Sequence, residues 1–346
     1  MSPVQRPPVR WGILGVAAIN TAFLPGLAAA ADGSAHAIAS RSLDRARSAA
    51  RQWGIPVPYG SYEDLLDDDS IDAVYIPLPN HLHAIWVVRA LRAGKHVLCE
   101  KPLAIDPAGM SAIRAAAAAS GTLVVEAFMY RFAPRWRRAM QMVREGVIGD
   151  PRLARIGFAF QQHPENYNIR FDPGAGGGIE WDMGCYVTAF ARDAFGAEPV
   201  AVTATGYQRP GSAVTTSVAA VLAFAGGRMA VTHASFDYPN PYSQFEIIGD
   251  EGWIALPGTG MRAEPFTRLV LHRGGQQEVF ADGRDPESTD FPFADPYRLE
   301  IDHFNDCVIN DHSPEFGLDD AQANMQAVLA MIASRESGGA ARPEAR

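Results

Sequence analysis

The chain is short of cysteine. It has three in 346 residues, Cys99, Cys185 and Cys307. They are odd in number and widely spaced, which excludes a disulfide framework and a CxxC metal motif and fits a reducing compartment. No apolar run approaches the roughly 20 residues that a membrane span needs. The opening stretch Met1–Arg10 carries prolines and two arginines but no apolar core of a secretory signal. Positive charge is not in excess either: 30 Lys and Arg stand against 39 Asp and Glu, a net charge of −9. That argues against nucleic acid and against anionic lipid as partners. A cytoplasmic protein with neither a nucleic-acid nor a membrane partner is expected. A hydrophobic fraction of 47% and a charged fraction of 20% are ordinary for a globular chain, and the length suggests two domains rather than one core.

Among what is present, His96-Val97-Leu98-Cys99-Glu100-Lys101-Pro102 is the most informative stretch. Val97 and Leu98 read as a buried strand, and Pro102, lacking an N–H for the ladder, ends it. Glu100 and Lys101 then stand at the carboxyl end of a strand, the edge at which open parallel sheets bind ligands. A lysine there orients a hydroxyl, neutralises developing negative charge or lowers the pKa of a neighbouring acid. Taken alone, a surface Glu–Lys pair explains the stretch as well. Upstream, Val9–Val16 is a strand pattern ending in glycine, with a helix expected over Asn20–Ala31. Gly15, Ala17, Ala18 and Ile19 therefore fall in a first strand-to-helix turn, where a dinucleotide pyrophosphate meets helix N-terminal amides. Ala17 and Asn20 stand where further glycines are usual, so a turn without a ligand remains open. The next strand, His36–Ser40, ends in Ser40-Arg41, with Arg45 one turn on. An acid commonly holds the ribose 2′-hydroxyl of NAD at this place; serine with arginines suits a 2′-phosphate, which favours NADP over NAD.

Helix and strand go on alternating. Helices are expected over Asp44–Trp53, Ser61–Leu66, Ala84–Ala93 and Pro107–Ser120, and strands over Ala73–Ile76 and Thr122–Val125. This rhythm predicts a doubly wound parallel sheet. Pro77, Leu78, Asn80 and His83 follow the strand beside the one that carries Lys101. His81 and His83 form an HxH pair without a third ligand of matching spacing, so no metal is expected. Tyr130 and Arg131 lie past the end of the last strand of this half.

After about Gly149 the strands become β-branched and alternating: Ala154–Phe160, Val200–Tyr207, Ser217–Phe224, Arg228–Ser235, Gln244–Gly249, Trp253–Leu256 and Leu269–His272. One large, mostly antiparallel sheet is expected. A helix with a glycine-rich lead-in stands apart, Gly176-Gly177-Gly178-Ile179-Glu180-Trp181-Asp182-Met183-Gly184-Cys185-Tyr186. Triple glycine costs chain entropy and fits a place where backbone approaches something closely. Asp182 and Tyr186, four apart, are expected on one helix face. With Lys101 they would make a proton-handling group, since a tyrosine is a poor base at neutral pH unless a cation stabilises its phenolate. A capped amphipathic helix with one satisfied aspartate is the plainer alternative. Arg298–Asn310 and Leu318–Ser334 read as closing helices.

Together these motifs resemble the Gfo/Idh/MocA oxidoreductase family. The resemblance runs over nearly the whole chain and rests on Gly12-Ile13-Leu14-Gly15, Pro79-Asn80-His81-Leu82-His83, Ala93 through Pro102, and Gly176 through Tyr186. Glu126-Ala127-Phe128-Met129-Tyr130-Arg131 and Tyr186 point to the branch with glucose–fructose oxidoreductase, NADP-dependent xylose dehydrogenase and dimeric dihydrodiol dehydrogenase. The resemblance implies an α/β fold: a Rossmann domain over residues 1–130, then an α+β domain with a large open-faced sheet over 131–336, its last helix able to return to the first domain, and a flexible tail over 337–346. It implies a nicotinamide cofactor held by Gly15, Ala17, Ala18, Ile19, Ser40, Arg41, Arg45, Pro77, Leu78, Asn80, His83, Glu100, Lys101, Arg131 and Trp181. Lys101, Asp182 and Tyr186 would be catalytic, with Tyr186 the general acid/base. Asn168, Arg170, Trp181 and Tyr186 would meet substrate. The expected activity is NADP-dependent hydride transfer at a carbinol or carbonyl carbon of a sugar or polyol, in a homodimer or homotetramer formed through the C-terminal sheet. A trans-dihydrodiol, a nucleotide-linked keto-sugar, and a non-catalytic NADP-binding sensor are the other readings.

Overall fold

The computed structural model describes residues 7–163, 168–258, 267–282, 290 and 293–344. They fall into two compact units, one of residues 1–129 with 295–321, the other of residues 130–294 with 322–346. In chain order the first unit runs β1 (Val9–Leu14), α1 (Asn20–Ala29), β2 (Gly33–Ala39), α2 (Leu43–Trp53), β3 (Val57–Tyr59), α3 (Tyr62–Leu66), β4 (Ala73–Ile76), α4 (Asn80–Arg92), β5 (His96–Glu100), α5 (Pro107–Ser120) and β6 (Val124–Ala127). Its strands form a six-stranded sheet in the order β3-β2-β1-β4-β5-β6, every pairing parallel. The chain leaves β1 towards β2 on one side and returns as β4 on the other. This reversal of strand order opens a crevice at the carboxyl end of β1.

The second unit begins with α6 (Pro134–Arg144) and β7 (Pro151–Gln161), then α7 (Cys185–Phe195), β8 (Ala201–Tyr207), β9 (Ser217–Ala223), β10 (Met229–Ser235), β11 (Asp237–Gly249), β12 (Gly252–Ala255), β13 (Arg268–Arg273) and β14 (Gln276–Ala281). The eight strands are ordered β14-β13-β12-β11-β7-β10-β9-β8. Among the described residues only the β7–β10 pairing is parallel. In β10, Ala230, Thr232 and Ala234 are buried while Met229 and Val231 are 44% exposed, so one face of the sheet is covered and the other lies open. β3, α6 and β14 were not anticipated; β14 is an edge strand whose first four residues are exposed, with no alternation to betray it.

Two helices close the chain, α8 (Pro296–Asn310) and α9 (Leu318–Ser337). The division of the chain is therefore not the linear one expected. It is α8, rather than the last helix, that belongs wholly to the first unit. The reason is packing: Phe304 is 1% exposed with its ring 4.8 Å from Trp11 of β1. Asn305 accepts from Trp11 Nε1 at 3.0 Å and donates to the Ala31 carbonyl at 2.9 Å. Within the tail expected over residues 337–346, Ala341 pairs with Val202 of β8.

Removing the Phe304 ring should therefore cost the first unit about 3–5 kcal/mol, as core Phe→Ala changes do. Urea unfolding of Phe304→Ala followed by the fluorescence of Trp11 and its neighbours checks this; a loss below about 1 kcal/mol would mean that α8 is not part of that core.

Candidate active site

The first unit gathers its predicted residues at the carboxyl edge of the parallel sheet. Gly15 follows β1 with φ +139°, a backbone angle that favours glycine, and a Cβ there would stand 3.2 Å from Leu78 Cδ2. Asn20, which stands in place of a glycine, is buried and donates to the Gly15 carbonyl at 2.9 Å, so the departure from the usual pattern pins the turn. Its Oδ1 is a buried acceptor without a hydrogen-bond partner among the described residues. No acidic residue occupies the first turn of α1, leaving its positive end free to meet an anion. After β2, Ser40 is 5% exposed while Arg41 and Arg45 are exposed. Ser42 caps α2 by accepting from the Arg45 amide. Arg45 Nη2 reaches back to donate to the Val16 carbonyl at 3.3 Å. Serine, two arginines and the glycine turn thus form one cationic rim, and that donor set fits a pyrophosphate and a further phosphate.

Pro77–Asn80 follow β4, and Glu100 ends β5 with Lys101 next after it. His83, expected among the cofactor-binding residues, is fully buried. Its Nδ1 lies 2.7 Å from the Pro102 carbonyl and its Nε2 2.7 Å from the Leu78 carbonyl. Both oxygens only accept, so a neutral ring donates to one of these carbonyls and packs against the other, between the loop after β4 and the residue next to Lys101. His81, by contrast, is exposed. Glu100 accepts from the Tyr75 hydroxyl at 2.6 Å. Glu300 of α8 is 2% exposed, and burial together with the nearby Glu100 carboxylate pushes it well above the ordinary carboxyl range. Tyr75 and Glu300 escaped the sequence reading; the available signal was a polar residue at a buried position of a strand or helix.

In the second unit Asn168 caps a short 3-10 turn by accepting from the Arg170 amide at 3.1 Å and donates to Gln162 Oε1 at 3.0 Å. Arg170 Nε donates to Asp182 Oδ2 at 2.8 Å. A predicted substrate residue and a predicted catalytic one are thereby joined. The glycine lead-in is explained by close approach: a Cβ on Gly177 would lie 2.7 Å from the carbonyl oxygens of Arg170 and Asp172. The segment beyond the glycines is not the uniform helix expected. Glu180–Gly184 form a π-turn, the Cys185 amide donating to the Glu180 carbonyl, and α7 starts only at Cys185. Asp182 therefore sits on the widened turn and Tyr186 on the regular one. Asp182, Trp181 and Tyr186 are 8%, 9% and 3% exposed. Arg131, expected to line a cleft, has a side chain 1% exposed. It is committed to Asp193 through Nε at 3.0 Å and Nη2 at 2.9 Å, with the Tyr130 hydroxyl donating to the same carboxylate at 2.8 Å.

Residues 9–128 match the family model described as an oxidoreductase family with an NAD-binding Rossmann fold, and residues 136–255 match the GFO/IDH/MocA C-terminal domain. The chain belongs to the Gfo/Idh/MocA oxidoreductase family. It is similar to D-xylose 1-dehydrogenase (NADP(+)) 2 of Haloferax volcanii, at 36% identity over 95% of this chain and 98% of that one. Among solved structures it is similar to an aldose-aldose oxidoreductase from Caulobacter crescentus, with TM-score 0.87, 26% identity and coverage of 97% and 99% of the two chains. It is also similar to a 3-ketoreductase from Actinomadura kijaniata in complex with NADP and TDP-benzene, with TM-score 0.85, 31% identity and coverage of 94% and 98%.

Burial pushes the His83 pKa down, and its two carbonyl contacts only partly offset this. With the folded pKa below the unfolded one, the stabilisation is complete above about pH 6.5 and is lost as the pH falls through the lower folded value. Urea midpoints of wild type and His83→Gln at pH 7.5 and 5.5 check this: the wild type should lose more stability over the interval than the variant, and equal losses would contradict it.

Proposed function

We propose that the protein is an NADP-dependent dehydrogenase or reductase acting at a CH–OH carbon of a sugar or polyol. The observation that carries the reading is that Lys101 follows β5 at the same sheet edge as the Gly15 turn and the Ser40-Arg41-Arg45 rim. NADP supplies, when bound, a nicotinamide C4 that accepts or donates hydride. Gly15, Ala17, Ala18 and Ile19 present backbone to its pyrophosphate, and Arg41 and Arg45, with Ser40 in place of an acid, receive the 2′-phosphate. Pro77, Leu78 and Asn80 flank the nicotinamide side. In oxidation Tyr186 takes the substrate hydroxyl proton, and Lys101 stabilises the phenolate and donates to the substrate oxygen. Asp182, held by Arg170, orients the substrate, and Trp181 and Asn168 shape its surroundings. Likeness to the xylose dehydrogenase supports an aldose as substrate; likeness to the 3-ketoreductase favours reduction of a nucleotide-linked keto-sugar as the second reading. Cytoplasmic residence is supported by three buried cysteine thiols outside any disulfide. A homodimer or homotetramer through the C-terminal sheet is supported by its open face, where Val221, Met229, Val231, Tyr238 and Tyr242 are 37–44% exposed.

Positioned proton transfer contributes about 10²–10⁴-fold to a rate. Tyr186→Phe and Lys101→Ala should each lower kcat by that order in NADP⁺ reduction over a panel of aldoses, polyols and keto-sugars. Turnover within a few-fold of wild type would remove these residues from the chemistry. For the cofactor, fluorescence titration should show tighter NADPH than NADH binding, and Ser40→Asp should weaken NADPH at least tenfold by placing a carboxylate against the 2′-phosphate. Tighter NADH binding by the wild type would overturn the phosphate assignment.

A further inference from the structure

The π-turn that carries Asp182 needs something to hold it, because widening a helix by one residue gives up regular hydrogen bonding. The group that holds it comes from the far end of the second unit. Glu180, the first residue of the turn, is 3% exposed, an environment that a lone carboxylate does not tolerate. Arg335 of α9 brings its Nε to 2.8 Å from Glu180 Oε1, with the two side chains 27% and 4% exposed. Burial pushes Glu180 up, and its own backbone amide, the charge of Arg335 and the Thr215 hydroxyl act against that; the Arg335 Nε–Glu180 Oε1 approach is an ion pair without hydrogen-bond geometry.

Space has been made for this pair on both sides. Gly178 has φ +113°, and a Cβ there would stand 3.2 Å from Glu180 Oε2. A Cβ on Gly206 of β8 would stand 2.5 Å from Arg335 Cδ. The same helix meets the turn's far side. Asn324 Nδ2 donates to the Cys185 carbonyl at 3.0 Å, and Asn324 Oδ1 accepts from the Thr188 hydroxyl at 2.9 Å. Asp182 and Tyr186 thus hang from a segment gripped at its start and at its finish by one helix.

We propose that Glu180 and Arg335 are positioning residues, a buried ion pair by which α9 fixes the π-turn and with it the placement of Asp182 and Tyr186. The pair touches no reacting atom; it acts through the backbone of the turn. Its kinetic consequence rests on the activity proposed above, whereas its structural consequence does not.

The test uses the full chain with two readouts. The first is hydrogen–deuterium exchange of the peptide spanning Gly178–Tyr186. Arg335→Met should raise its exchange at least tenfold while strands β7 and β10 keep wild-type protection. The second is steady-state kinetics on whichever substrate the wild type turns over. Arg335→Met should lower kcat at least tenfold with KM for NADP⁺ within twofold, and Arg335→Lys should recover most of that loss. Glu180→Gln combined with Arg335→Met should be no slower than the worse single variant, because the two residues act as one unit. If Arg335→Met does not fold, the isosteric Glu180→Gln takes its place, with the same local rise in exchange and fall in kcat. Unchanged exchange at the turn, a rise spread evenly over the whole second unit, or a kcat within twofold of wild type would each overturn the proposal. If the wild type turns over nothing on the panel, the proposed activity fails, and the exchange experiment still decides the brace.

Discussion

Parallel pairing of β1 with β2 on one side and β4 on the other is the constraint on which the first unit depends. A parallel sheet cannot be built from tight hairpins, so each strand must be followed by a crossover, and all crossovers leave from the same edge. Every strand end therefore delivers its next residues to one line: Gly15 after β1, Ser40 after β2, Pro77 after β4 and Lys101 after β5. The reversal of direction at β1 keeps two of those crossovers from covering the same ground. Residues nearly ninety positions apart in the chain come to share an edge without any direct attraction between them. The interactions that hold the edge in shape lie below it: Asn20 on the Gly15 carbonyl, His83 on the Leu78 and Pro102 carbonyls, and Tyr75 on Glu100.

The second unit solves its placement problem differently. Its sheet is antiparallel save for one pairing and presents no common strand edge to a ligand. The predicted chemical groups instead sit on a single segment whose backbone is locally irregular. The glycines allow the carbonyls of Ile169, Arg170 and Asp172 to press against that segment, Arg170 takes the Asp182 carboxylate, and the π-turn sets how far apart Asp182 and Tyr186 are wound. Irregularity of this kind costs stability and persists because neighbours over-determine it. Helix α9, distant in sequence, is the neighbour that does so.

Much of this was legible in the sequence. Alternating apolar strands and helices announced the parallel sheet, since buried parallel strands read as unbroken apolar runs such as those ending at Ile76 and Cys99. The glycine turn, the Ser40-Arg41 pair and the Glu100-Lys101-Pro102 terminus carried the first half of the candidate site, and Gly176–Gly178 marked the lead-in to the second. Three kinds of feature stayed hidden. The π-turn depends on tertiary hydrogen bonds that no local periodicity records. The return of α8 to the first unit depends on Trp11, Phe304 and Asn305 meeting across nearly three hundred residues. The positions of Arg131 and Arg335 depend on Asp193 and Glu180, carboxylates that composition cannot pair with them.

The central claim is that a hydride passes between NADP and a CH–OH carbon under the control of Lys101, Asp182 and Tyr186. The most direct measurement is isotopic. The protein is incubated with NADP⁺ and an aldose deuterated at C1, and the recovered cofactor is analysed by mass spectrometry. The account predicts one deuterium in each NADPH formed by the wild type, and about 10²–10⁴-fold slower formation of the same labelled NADPH by Tyr186→Phe. NADPH that forms without deuterium, or cofactor that binds and is never reduced by any aldose, polyol or keto-sugar couple, would contradict it.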